Sequence, residues 1–195
     1  MKSGQGVYTW ADGHRYEVGW KNGKKSGQGV YTWPDGDRYE GGWKDDVRSG
    51  RGVQWLPGGR VFDGAWAGDC PLQGTAMEPD GALFRAAFDD KMDIEDDWDK
   101  AERVPAGRIA SGGPPPPGGG GGPPPAWEGR AELADGTAVE GVFRGLLPHG
   151  RATVTERGGA ACAAEYDGER TVAEGPVPVR RQASLREVHL FSTDG

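Results

Sequence analysis

The sequence predicts a mainly β protein: an elongated, single twisted antiparallel sheet of stacked β-hairpins, with a short capping helix and a disordered Pro/Gly linker. Three observations carry that reading. First, GQGVYTWADGHRYEVGWKNGKKS from Gly4 and GQGVYTWPDGDRYEGGWKDDVRS from Gly27 are near-copies, one period of 23 residues apart. Second, Asp12-Gly13, Asp35-Gly36 and Asp80-Gly81 each lie between two extended runs, and Asp-Gly supplies the positive φ that hairpin turns require. Third, 36 glycines and 15 prolines leave few aliphatic side chains, so the 8 tryptophans, 5 tyrosines and 5 phenylalanines must provide the buried area.

Taken in order, the second unit shows the pattern most clearly. Val30-Tyr31-Thr32-Trp33 runs out, Pro34-Asp35-Gly36 turns, and Arg38-Tyr39-Glu40-Gly41-Gly42-Trp43 returns. A period of two puts Tyr39, Gly41 and Trp43 on one face of the return strand, with glycine at the centre so that rings lie over the backbone. A third unit, Gly50 to Trp66, keeps the frame, and a fourth, Gln73 to Phe88, follows a one-residue deletion. The expected repeat core is Tyr8, Trp10, Tyr16, Trp20, Tyr31, Trp33, Tyr39, Trp43, Phe62 and Trp66. One hairpin alone is marginal in water, so the units are expected to stack.

The Gly-x-Gly, Asp-Gly, Tyr-x-Gly-x-Trp spacing resembles the MORN repeat, directly over residues 4–88, with Val18 standing where the central glycine belongs. The resemblance implies a non-catalytic scaffold or protein-interaction module tethered to cytoskeleton or membrane. It equally implies an alternative, a phosphoinositide or anionic-lipid binding module, or a regulatory segment of a larger lipid kinase or methyltransferase.

Beyond the fourth unit, residues 89–104 are acidic, with Ile94, Trp98 and Ala101 at helical spacing and Asp90 as N-cap, which predicts a capping helix. Residues 105–125 contain PPPPGGGGGPPP and are expected to be a disordered linker. Residues 126–178 read as two degenerate MORN-like units around Gly129, Asp135-Gly136, Gly141 and Phe143, then Gly150, Gly158-Gly159, Cys162 and Tyr166. This block is expected either to extend the first sheet or to stay mobile. Residues 179–195 form a tail whose Ser184-Leu185-Arg186-Glu187 has the form of a capping box.

No catalytic set emerges. Asp93, Glu95 and Asp97 imitate a calcium loop, but its sixth position is Trp98 and its twelfth Val104. Gly19 to Lys24 is too short for a phosphate loop and lacks the hydroxyl. His14, His149 and His189 are isolated, and Cys70 and Cys162 have no ligand-spaced neighbours, so no metal, cofactor or disulfide is expected. Glu17, Glu40 and Glu140 recur at one repeat position and read as a solvent-facing ladder.

Formal charge is −7 and unevenly spread: residues 1–51 carry 9 basic and 7 acidic side chains, residues 52–104 carry 5 and 12. An acidic chain argues against nucleic acid. Lys21, Lys24, Lys25, Lys44, Arg48 and Arg51 form the candidate contact set for a lipid or a protein partner, each worth about 1 kcal/mol beside an anionic surface. A cytoplasmic location, at cytoskeleton or membrane, is the expectation. The strand Gly6 to Trp10 reads as an unguarded sheet edge that a second copy would cover, giving a homodimer, unless further repeats precede it.

Overall fold

The computed structural model describes residues 3–89, 92–115, 125–167 and 171–173. They form one 14-stranded antiparallel sheet in strict chain order. Its strands are β1 Gly4–Thr9, β2 Arg15–Lys21, β3 Lys24–Thr32, β4 Arg38–Lys44, β5 Val47–Trp55, β6 Val61–Ala67, β7 Cys70–Met77 and β8 Ala82–Ala87, then β9 Glu102–Ser111, β10 Ala126–Leu133, β11 Ala138–Arg144, β12 Leu147–Thr155, β13 Ala161–Asp167 and β14 Thr171–Ala173.

Each of the first four units is a hairpin, or rung. In the second rung the Trp33 N–H donates to Asp37 O at 2.9 Å and the Gly36 N–H to Trp33 O at 3.1 Å, with Gly36 at φ +97°. The Asp35 carboxylate accepts from the Asp37 N–H at 3.0 Å, so the Asp-Gly pair sets the turn through both side chain and backbone. Where one rung meets the next, the register shifts at the same place each time, between Val18 and Trp20, Gly41 and Trp43, and Gly64 and Trp66. This recurring β-bulge goes with a tryptophan that lies back over the preceding rung, Trp43 meeting Tyr16 at 5.4 Å and Trp66 meeting Tyr39 at 5.2 Å between centroids. At Gly41 a Cβ would lie 2.6 Å from Tyr39 Oη and 2.5 Å from Gly52 Cα, which is why the centre of the return strand is glycine. The side chain of Val18, at the same position in the first rung, is outside the described atoms.

Residues 89–104 do not form the expected helix. From Met92 to Ala101 the chain is a strap of turns with one 3-10 turn at Trp98–Lys100, and from Glu102 it is strand β9. The carboxylates compete with helical hydrogen bonds: Asp93 accepts from the Glu95 N–H at 2.8 Å and Asp97 from the Asp93 N–H at 2.9 Å. Asp90, the expected N-cap, lies outside the described residues. Ile94, Trp98 and Ala101 are nevertheless buried together, on the aromatic face of the repeats.

Residues 105–111, expected to begin the linker, also belong to β9, which joins the two blocks into one sheet. Ala106 and Ile109 are buried and repay that order, and Pro105 sits beside the register shift between Leu83 and Phe84, where a missing N–H does least harm. A second shift lies between Arg130 and Ala131. Across β9 the apolar side of the sheet changes. Tyr16, Tyr39, Trp43, Phe62, Trp66 and Phe88 share one face, whereas Val139, Phe143, Leu146, Ala152, Val154 and Ala164 pack with Val53, Trp55, Val61, Met77 and Leu83, which stand on the opposite face. The β11–β12 turn closes this second layer: the Leu146 N–H donates to Asp63 Oδ2 at 3.1 Å and Trp127 Nε1 to Gly145 O at 2.9 Å. The capping box and His189 lie outside the described residues.

Candidate partner-binding surface

The stacking period turns sequence columns into walls of a groove. Tyr16, Tyr39 and Phe62 alternate with Trp20, Trp43 and Trp66 as its floor, in edge-to-face contacts such as Tyr39–Trp43 and Tyr39–Trp66, each 5.2 Å between centroids. Tyr16 and Tyr39 donate to the bulge carbonyls of Gly19 and Gly42 at 2.9 and 3.1 Å, and Trp43 Nε1 donates to Gly29 O at 3.2 Å. Burial pushes the Tyr16 hydroxyl up to about 12 and raises that of Tyr39 further.

The rim of the groove differs along its length. One column reads Tyr8, Tyr31, Gln54, Ala76 and its neighbour Trp10, Trp33, Leu56, Glu78, one rung per residue. In rungs 1 and 2 the rim is aromatic and partly open: Tyr8 is 38 % exposed, and Trp10, Tyr31 and Trp33 are half-buried. Tyr8 meets Trp10 at 4.7 Å and Tyr31 meets Trp33 at 4.5 Å, both edge-on, while Trp10 leans on Tyr31 of the next rung at 5.7 Å. The Tyr31 hydroxyl lies 3.0 Å from His14 Nδ1. In rungs 3 and 4 the rim residues carry no aromatic ring, and the strap fills the room they leave. Trp98, 2 % exposed, donates from Nε1 to Glu78 Oε1 at 2.8 Å and lies between the guanidinium groups of Arg60 and Arg103, 5.5 and 5.3 Å from the ring. Burial pushes the Glu78 carboxyl up, but hydrogen bonds from Trp98 and Arg103 and the charges of Arg103 and Arg60 outweigh it and hold it below its usual value.

The six expected cationic contacts separate into two kinds. Lys21, Lys24 and Lys44 are exposed on the loops between rungs. Lys25 and Arg48, one period apart, point inward instead. Lys25 Nζ lies 4.3 Å from the Tyr31 ring centre and 4.1 Å from that of Trp43, and desolvation lowers its pKa. The Arg48 guanidinium lies 4.3 Å from the Trp66 ring and donates to Gln54 Oε1 at 3.1 Å. Arg51 is ion-paired with Asp63 at 2.7 Å. Asp46 and Asp69 clasp successive loops, accepting from the Lys25 and Arg48 N–H groups at 2.8 and 2.7 Å.

The recurrent carboxylates are the position that sequence reasoning misplaced. Glu17 and Glu40 are 6 % and 5 % exposed, and Asp63 of the same column 4 %; Glu140 alone is open to solvent. The signal that distinguishes them is the arginine two residues earlier: Arg15 pairs with Glu17 at 2.9 Å and Arg38 with Glu40 at 3.1 Å. Burial nevertheless raises Glu40 to about 7, with Arg38 opposing. Asp37, wholly buried, is likewise held high by burial and the nearby carboxylates Glu95 and Asp35, with a hydrogen bond from Gln54 at 3.0 Å opposing. Among the described residues no group of histidine, cysteine and carboxylate side chains is arranged to hold a metal, and no helix is long and apolar enough to cross a membrane.

The repeat pattern of the first rungs coincides with a known family. Residues 1–15, 16–38 and 39–59 each match the MORN repeat. Residues 1–59 carry MORN repeats. The second and third matched units begin at Tyr16 and Tyr39, so a MORN unit runs from one return strand through the next outgoing strand, half a hairpin out of phase with the rungs. The same register shift recurs past the matched residues, between Gly141 and Phe143. No curated protein matches the chain.

Proposed function

We propose that the protein is a non-catalytic binding module that docks an extended segment of a protein partner on the aromatic rim of rungs 1 and 2, and so serves as a scaffold. One observation carries the reading: the same groove is occupied by the chain's own strap over rungs 3 and 4, while over rungs 1 and 2 Tyr8, Trp10, Tyr31 and Trp33 stay partly open. Half-exposed Trp and Tyr are the side chains that dominate recognition energetics, because they bring large rigid area at little entropic cost. A cytoplasmic location belongs to the same proposal, motivated by the free thiols of Cys70 and Cys162. The test is selection of peptides from a random display library against the full chain. Enriched peptides should lose binding to the Trp10→Ala and Trp33→Ala variants; a library from which no rim-dependent peptide emerges would sink the proposal.

The anionic-lipid alternative draws on Lys21, Lys24 and Lys44, which face solvent beside Asp45 and Asp46. Lys25, Arg48 and Arg51 are already engaged by rings and carboxylates, and Lys24 lies 3.9 Å from Asp45, which weakens that alternative. Liposome pelleting at low and high salt would revive it if vesicles rich in phosphoinositide carried the protein down.

A further inference from the structure

The rim of rungs 1 and 2 has a period, and the period has a match. Tyr8 with Trp10 and Tyr31 with Trp33 form two L-shaped slots, with interplanar angles of 82° and 62°. The slots sit on β1 and β3, two strands apart, which is about 9.6 Å at about 4.8 Å per strand. A polyproline II helix advances about 3.1 Å per residue with three residues per turn, so its pitch is about 9.3 Å. Prolines three residues apart on one face of such a helix therefore meet successive slots when the helix runs along the stack. Its backbone makes no internal hydrogen bonds, so its carbonyl groups are free acceptors. Trp10 and Trp33 carry ring N–H groups for which no acceptor is found among the described residues. Aromatic slots with indole donors are the general means by which proline-rich segments are held.

The chain itself contains such a segment. Pro114 to Pro117 are consecutive, so the first and last are three apart, and Pro123 to Pro125 follow five glycines. Fourteen residues separate β9 from β10, and looped out and back they reach about 23 Å. Rung 2 begins six strands from β9, about 29 Å along the sheet, beyond the strap-covered rungs. The segment therefore falls short of the slots of its own molecule but is within reach of those of a neighbour. We propose that the aromatic slots of rungs 1 and 2 bind the Pro114–Pro125 segment of a second copy in the polyproline II conformation, joining molecules head to tail. Such a contact is heterologous, so it propagates rather than closing into a two-fold dimer.

This proposal rests on the rim of rungs 1 and 2 being a docking surface. Its test uses the full chain with three synthetic peptides: one spanning residues 112–126, an oligoproline, and a control in which every proline is glycine. Binding of the 112–126 peptide should quench indole fluorescence and weaken at least about tenfold in the Trp10→Ala and Trp33→Ala variants, as expected for loss of an aromatic anchor. The glycine control should not bind. In sedimentation velocity the full chain should associate with rising concentration, and a chain with Pro114 to Pro117 all replaced by glycine should not. No binding by either proline peptide, or binding unchanged in both tryptophan variants, would overturn the proposal. Binding of oligoproline without the 112–126 peptide would exclude the second copy as occupant. If display selection yields rim-dependent peptides without proline while both proline peptides fail, this inference falls and the docking surface stands; if neither experiment finds a rim-dependent ligand, both fall.

Discussion

Rungs 1 and 2 and rungs 3 and 4 share one backbone and fill one groove by opposite means. In the first pair the outer columns are Tyr8, Trp10, Tyr31 and Trp33, and these rings close over the floor while keeping an edge in solvent. In the second pair Gln54, Leu56, Ala76 and Glu78 stand in the same columns, and Ile94 and Trp98 from the strap occupy the space. The lesson is that loss of the repeat aromatics is no simple decay. Where the columns shrink, a later segment of the chain supplies Ile94 and Trp98 in place of the missing rings.

The largest effect that would sharpen this comparison is at the floor against the rim. Trp43→Ala removes a ring that is 5 % exposed and should cost about 3 to 5 kcal/mol in urea denaturation, whereas Trp33→Ala at the half-exposed rim should cost clearly less. Equal losses would mean that the rim is structural, and the contrast between a self-filled groove and an open docking surface would collapse. Next in size is Trp98→Ala, which empties the groove over rungs 3 and 4 and unpairs Glu78 from its indole donor. It should cost about 3 kcal/mol and raise binding of an apolar dye, because the floor around Phe62 and Phe88 is uncovered.

A smaller effect is expected from restoring the repeat. Gln54→Tyr with Leu56→Trp puts rings where the strap now lies, and overpacking of this kind costs about 1 to 3 kcal/mol unless the strap leaves. Hydrogen exchange should then show loss of protection around Ile94 and Trp98 with the sheet unchanged; a strap that stays protected would show that its seat does not depend on those columns.

The smallest effect is in pH. Asp37 and Glu40 have folded pKa values above their unfolded ones, Glu40 at about 7, so the folded state holds more protons and stability falls as pH rises from about 4 through 7. Glu78 is shifted the other way, and its contribution is lost only as pH falls through its lowered value. The melting temperature should therefore rise on going from pH 8 to about pH 5, and Glu40→Gln should flatten that rise. A melting temperature that climbs toward pH 8 would contradict the assigned burial.

Much of the repeat architecture was legible because it is local. Asp35-Gly36 sets a turn, alternation sets a face, and a 23-residue copy at Gly27 sets the stack, all within a few residues of one another. The rim of the candidate surface was legible as residues but not as a boundary, since Tyr31 and Gln54 differ in the sequence without showing what covers each. Glu17 and Glu40 were misread because recurrence in every rung is equally compatible with either face of a sheet; their arginine partners at Arg15 and Arg38 decide it only once burial is known.

The sequence by itself determined the hairpins, their order and the aromatic face of the first block, because side-chain alternation and Asp-Gly turns act over short range. Only the tertiary structure decided three things: that β9 carries the sheet through what looked like linker, that the second block buries the opposite face, and that Ile94 and Trp98 belong in the groove. The physical reason is common to all three. A register shift such as that between Leu83 and Phe84 exchanges the two faces of the sheet, and which apolar surface then needs covering depends on residues far away in the chain.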